Sequence, residues 1–160
     1  EMRRGGIDVC KHIDIPYLIA STANDGLYSY GCSIGIPGMI LERDGHGRCS
    51  REHVEGYKRD IHNILVYFGI IEGAYHEVSQ EKTIFEHASY IEAEETGFWY
   101  PEIHVLEEFE KGRRLGVIKD IFGNVLQEVT AEHAGKVMYF NDALAARKAR
   151  TNLVAYGWLE

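Results

Sequence analysis

The chain's first clear apolar run is Ile13-Asp14-Ile15-Pro16-Tyr17-Leu18-Ile19-Ala20, which predicts a strand over 13–20. Residues 22–26 carry turn chemistry, and 27–33 suit a short helix or a loop. The next run, Gly35-Ile36-Pro37-Gly38-Met39-Ile40-Leu41-Glu42, holds five apolar or proline residues in eight. It ends on a carboxylate followed by the glycine-rich Arg43-Asp44-Gly45-His46-Gly47, and so predicts a buried strand with Glu42 at its tip. Ser50 then offers an N-cap, with Glu52 in the first turn where the helix dipole favours an acid. Val54, Tyr57, Ile61, Ile64, Leu65 and Phe68 follow mostly at intervals of three and four, one face of an amphipathic helix closed by Gly69. Strand, glycine turn and helix in that order predict α/β architecture.

Residues 72–82 are more polar and lack periodicity, which reads as a linker. Beyond it the pattern changes. Gly97-Phe98-Trp99-Tyr100, Leu115-Gly116-Val117-Ile118, Asn124-Val125-Leu126 and Gly135-Lys136-Val137-Met138-Tyr139-Phe140 are short β-prone runs between closely spaced turn signals. They predict a small all-β barrel or sandwich. The expected organisation is an α/β part over 1–80 and a β barrel-sandwich-like domain over 81–160, without internal repeat or low-complexity segment.

Composition narrows the function. With 45% hydrophobic and 26% charged residues, the chain is an ordinary globular polypeptide. A net charge of -8 leaves no basic stripe to neutralise phosphates, and Arg147-Lys148-Ala149-Arg150 is too short to supply one; nucleic acid is not an expected partner. No apolar run approaches the roughly 18 residues of a membrane span, so no membrane association is expected. Three cysteines without Cys-x-x-Cys spacing point to free thiols and a cytoplasmic setting. Glu1-Met2-Arg3-Arg4-Gly5-Gly6 leads into no signal-peptide core, and an opening on Glu1 hints at a piece of something longer.

Candidate chemistry is sparse. Among eight histidines no His-Glu-x-x-His occurs. His53 and Glu55 are two apart and diverge on a helix; His62, His76-Glu77 and Glu86-His87 read as structural or solvated. His46, four residues beyond Glu42, is the exception to watch, and a zinc site improvised from His46, His53 and nearby carboxylates is a third, weaker option. No metal ligand is assigned. No cysteine sits in a motif that depresses its pKa, and no glycine loop has the strand–glycine–helix order with a lysine that cradles phosphate. Glu42 remains. At a strand end beside a cleft it is placed to act as a general base; the plainer alternative is a glutamate that caps its turn.

Phe109-Glu110-Lys111-Gly112-Arg113-Arg114-Leu115-Gly116 resembles the turn of lipoyl- and biotinyl-type barrel-sandwich hybrids. The candidate tip Ala131-Glu132-His133-Ala134-Gly135 lacks the carrier lysine, and Lys136 falls inside a strand pattern, so a carrier role is not expected.

In order along the chain, three blocks resemble the succinylglutamate desuccinylase/aspartoacylase family of carboxypeptidase-like zinc deacylases. They are Gly35 to Glu42 with its glycine turn; the helix ending Ile61-His62-Asn63-Ile64-Leu65-Val66-Tyr67-Phe68-Gly69; and the stretch from Glu92-Ala93-Glu94-Glu95-Thr96-Gly97 through Asp120-Ile121-Phe122-Gly123 to Gly135. The resemblance implies a carboxypeptidase-like α/β sheet domain followed by the small β domain. It further implies hydrolysis of the amide of a small-molecule N-acyl amino acid, with zinc polarising the carbonyl and activating water. Glu42 matches the family's proton-transferring glutamate. The family's zinc-binding His-x-x-Glu lies near its N-terminus, and none stands before Glu42 in this chain. The ligands are therefore expected upstream of residue 1, making the chain the C-terminal part of a deacylase that is inactive alone. The family's carboxylate-gripping arginine falls on Cys32, and Ala145 stands where a tyrosine would reach the site, which implies an acyl group other than that of N-acetylaspartate. A homo-oligomer is compatible with this reading. The competing reading is a non-catalytic binding or regulatory module built on the barrel-sandwich domain.

Overall fold

The structure, a computed structural model, describes residues 7–20, 26–79 and 81–159. Two compact units divide the chain, Glu1–Ile84 and Phe85–Glu160. In the first, strand β1 (Tyr17–Ile19) pairs with β2 (Thr83–Phe85), the Thr83 amide donating to Pro16 O at 2.8 Å. Helix α1 (Leu27–Ser33) forms where the sequence left helix or loop open. The strand expected over 35–42 does not form: this run is irregular. Gly35 takes φ +89°, and Pro37 has no amide to give a ladder. The apolar side chains also stay out of the core, with Ile36 59% and Ile40 62% exposed.

Helix α2 (Arg51–Tyr67) has the expected ends. Ser50 Oγ accepts from the His53 amide at 3.1 Å. At the other end Gly69 takes φ +66°, with its amide on Val66 O and that of Ile70 on Leu65 O, a Schellman closure. Its buried face differs from the predicted one. Gly56, Asp60 and Asn63 are the buried residues, whereas Ile61 and Phe68 of the apolar stripe are each 50% exposed. A polar face can be buried when every group on it finds a partner. Asn63 donates to His12 O at 2.8 Å and to His76 O at 3.0 Å, and accepts from the His76 amide at 2.7 Å. The segment predicted as a linker is therefore a strap bound within the first unit. The Ser79 amide reaches Asp14 Oδ1 at 3.1 Å, and Lys82 Nζ reaches Ile13 O at 2.5 Å and Ile15 O at 2.8 Å. Burial lowers the Lys82 ammonium below its ordinary pKa.

The second unit is eight antiparallel strands: β3 (His87–Glu92), β4 (Gly97–Pro101), β5 (Glu108–Phe109), β6 (Arg114–Lys119), β7 (Val125–Thr130), β8 (Gly135–Phe140), β9 (Ala145–Ala146) and β10 (Asn152–Trp158). They form two four-stranded sheets ordered β3-β10-β8-β5 and β7-β6-β4-β9, with no closed barrel among the described residues. Advancing each strand number by four, cyclically, turns one order into the other, an internal symmetry of topology with no counterpart in the sequence. One apolar core serves both sheets, with Trp99, Leu115 and Ile118 from one and Val137, Leu153 and Tyr156 from the other. Gly116 makes room for it, since a Cβ there would lie 2.4 Å from the Trp99 ring. Residues 131–135, read as a hairpin tip, instead carry the chain from one sheet to the other. The tight tip is at 120–124, where Asp120 Oδ1 accepts from the Phe122 amide at 2.8 Å and the Asn124 amide at 2.9 Å. The whole is mixed α/β with several antiparallel sheets.

Candidate functional site

Glu42 is exposed and lies in an irregular segment, yet the residues around it are fixed by hydrogen bonds to α2. The Arg43 amide donates to Tyr57 Oη at 2.7 Å, and that hydroxyl lies 3.4 Å from both Leu41 O and Arg43 O. The Arg43 guanidinium grips Asp60 through Nε at 3.0 Å and Nη2 at 2.5 Å, with Nη2 also 3.0 Å from Asp14 O. Asp60 is 1% exposed, and its other oxygen accepts from the Asp14 amide at 2.8 Å. A buried carboxylate is tolerated because it is paired and bonded at both oxygens.

Asp44 continues the attachment. Its Oδ2 lies 2.9 Å from His53 Nδ1, and its Oδ1 accepts from the Gly45 amide at 2.8 Å. The Gly45 amide chiefly, and then His53, hold the Asp44 carboxyl below its ordinary pKa. Asp44 (φ 68°) and His46 (φ 58°) both occupy the left-handed region, uncommon for residues with a Cβ. Ser50 Oγ is 2.6 Å from the same His53 nitrogen that meets Asp44. Serine and aspartate on one ring nitrogen cannot form a relay, because a nucleophilic triad needs them on opposite nitrogens.

Two further sequence patterns are settled by geometry. Gly31-Cys32-Ser33-Ile34-Gly35 has the Gly-x-Ser-x-Gly spacing, but Ser33 ends α1 and its Oγ donates to Tyr30 O at 2.7 Å, without the strand-to-helix elbow that exposes a nucleophile. His104-x-x-Glu107 is the chain's one His-x-x-Glu spacing; Glu107 Oε2 accepts from the backbone amide of His104 at 2.8 Å and closes a turn. Among the described residues no three His, Cys, Asp or Glu side chains are grouped to hold a metal ion, so these residues do not fit a catalytic zinc, and His46 and His53 do not form the improvised site. Two grooves line surfaces of the second unit, one of about 990 Å³ between β3 and β7, and Glu42 borders neither.

No protein-family model and no curated protein matches the sequence. Solved structures do match its fold. The product-bound ectoine utilization protein EutE (DoeB) from Ruegeria pomeroyi superposes with TM-score 0.80 at 19% identity, over 98% of this chain and 49% of that one. A succinylglutamate desuccinylase/aspartoacylase from Rhodobacter sphaeroides gives TM-score 0.72 at 24% identity, over 98% and 50%. An aspartoacylase family protein from Mesorhizobium loti gives 0.66 at 16%, over 99% and 49%. The fold is that of the succinylglutamate desuccinylase/aspartoacylase proteins. This chain spans about half the length of the structures it matches. No helix among the described residues is long and apolar enough to cross a membrane.

What the sequence reading missed at this site is the polar stripe of α2. Ser50, His53, Tyr57 and Asp60 are spaced by three, four and three, the same signal used for the apolar face, but carried by hydrogen-bonding side chains.

Proposed function

We propose that the chain is the C-terminal part of a deacylase of the succinylglutamate desuccinylase/aspartoacylase type, hydrolysing the amide of an N-acyl amino acid. The observation that carries this reading is the match of nearly the whole chain to one half of such a fold at TM-score 0.72. In the reaction, water adds to the acyl carbon, and Glu42 takes its proton and passes it to the nitrogen as the C–N bond breaks. The products are a carboxylic acid and an amino acid. An exposed carboxylate on an anchored backbone suits that shuttling, since it is open to the attacking water and the leaving nitrogen from a fixed origin. Zinc, implied by the resemblance, has its ligands upstream of residue 1 in this reading, and the second unit is the barrel-sandwich-like domain of the deacylase. Cys32 and Ala145 turn the specificity away from N-acetylaspartate.

The test is hydrolysis of a panel of N-acyl amino acids by the protein that carries this chain. Glu42→Gln is expected to lower kcat by at least about a hundredfold with metal content unchanged. Turnover retained by that variant removes Glu42 from the chemistry, and a protein that cleaves none of the panel removes the deacylase.

A further inference from the structure

The segment carrying Glu42 has no ladder to hold it, and yet three side chains on one face of α2 each take a different part of it. His53, its ring held by the Ser50 hydroxyl, takes Asp44, Tyr57 takes the backbone at 41 and 43, and Asp60 takes the Arg43 guanidinium. Gly56, within the same face, leaves the guanidinium its path: a Cβ there would stand 3.1 Å from Arg43 Cζ.

We propose that this stripe, with Arg43 as its latch, is the positioning device for Glu42. It fixes residues 41–44 in one backbone arrangement, so that the carboxylate is delivered to the reacting atoms already oriented. None of the stripe residues exchanges protons with substrate; they act through Glu42 and are positioning residues. The proposal rests on the deacylase reading above.

Two physical arguments favour positioning over simple stabilisation. A buried arginine–aspartate pair is a poor source of stability, because well-packed apolar residues of similar volume generally serve as well or better. What the pair supplies is geometry: Nε and Nη2 of the planar guanidinium converge on one Asp60 oxygen while Nη2 also holds Asp14 O, which fixes the guanidinium in one orientation. The left-handed conformations of Asp44 and His46 also cost energy, and such strain persists only where surrounding contacts impose it.

Tyr57→Phe removes one hydroxyl and keeps the ring, and Arg43→Lys keeps the charge but loses the fork. In the intact protein, amide hydrogen exchange at Arg43 is expected to be at least about tenfold faster in Tyr57→Phe, because its acceptor is gone. In the same protein, assayed well below its unfolding temperature, both variants are expected to lose about tenfold to a hundredfold in kcat with KM within about twofold. A merely structural role would lower the unfolding temperature and leave kcat alone. Unchanged exchange at Arg43 in Tyr57→Phe overturns the tether. Unchanged kcat in both variants, with Glu42→Gln inactive, overturns positioning and spares the assignment of Glu42. Full activity of Glu42→Gln overturns that assignment and the proposal with it, while the exchange result still reports on the tether.

Discussion

The two units solve the problem of burial in opposite ways. The second hides Trp99, Leu115, Ile118, Leu153 and Tyr156 between two sheets, and its order follows from apolar area removed from water. The first buries Asp60 and Asn63 on its long helix while leaving Ile61 of the same helix and Phe68 at its C-cap half exposed. There, beside a small apolar set of Val9, Cys10 and Ile13, the forces that hold the helix face are directional: a charge pair and a set of backbone–side-chain hydrogen bonds. Apolar burial tolerates small displacements, whereas a hydrogen-bonded fork does not. The unit that carries the candidate reactive group is thus the one held by angles and distances.

The largest effect that tests this contrast is expected in the apolar unit. Trp99→Ala removes the biggest fully buried side chain and leaves a cavity, costing about 3–5 kcal/mol of unfolding free energy in a denaturant titration. In the polar unit, Asp60→Leu is expected to cost a similar or slightly smaller amount, about 3 kcal/mol, because it strands the Arg43 guanidinium in a largely buried place. The distinguishing result is the double variant. Arg43→Met with Asp60→Leu should recover most of the loss, whereas no single apolar replacement near Trp99 refills that cavity. If the double variant is as unstable as Asp60→Leu alone, the pair is not the origin of the cost.

The contrast also explains what was legible in the sequence. Strands of the second unit announce themselves because inward positions are apolar, and each run is bounded by a turn residue. Helix α2 was legible at both ends, where Ser50 and Gly69 follow local rules that tertiary structure seldom overrides. Its orientation was not. Period counting assigns the apolar stripe to the core, and nothing local tells Asp60 that Arg43, seventeen positions earlier, will neutralise it. The run at 35–42 misled for the reciprocal reason: five apolar or proline residues in eight read as buried strand, but a strand also needs a neighbour, and a sequence does not display neighbours. Glu42 was found by its place after that run, not by the feature that fixes it, and the internal symmetry of the second unit lies in connectivity alone. A smaller substitution sharpens the point. Gly56→Ala ordinarily strengthens a helix, yet here the added methyl meets a guanidinium pinned by three hydrogen bonds, so a net loss of about 1 kcal/mol is expected by thermal or denaturant unfolding. A gain in stability would show that Arg43 yields easily and that the fork is not tight.

The smallest expected effect is a pH dependence confined to the loop after Glu42. The Asp44 carboxyl is held below its usual 3.8, first by the Gly45 amide and then by His53. A carboxylate with a lowered folded pKa contributes its attachment in full above the unfolded value, and loses it as pH falls through the folded one. The loop should therefore be indifferent to pH near neutrality and loosen only below about 3.8, where protonation of Asp44 weakens its hold on Gly45 and His53. Amide chemical shifts and exchange at Gly45, followed by NMR down to the acid limit, check this directly, with Asp44→Asn as the reference that no longer titrates. Asp120 is likewise held below its usual pKa, first by the Asn124 side chain, and its tip should respond in the same acid range. The comparison lies in what each loosening reaches. In the second unit the change ends at the turn, since Trp99 and Ile118 hold the sheet by apolar packing. In the first it should spread to Arg43 and Glu42, because there the same class of interaction holds the whole segment. Exchange at Arg43 that stays constant while Gly45 loosens would separate the Asp44 attachment from the Arg43 latch, and leave the latch to hold Glu42 alone.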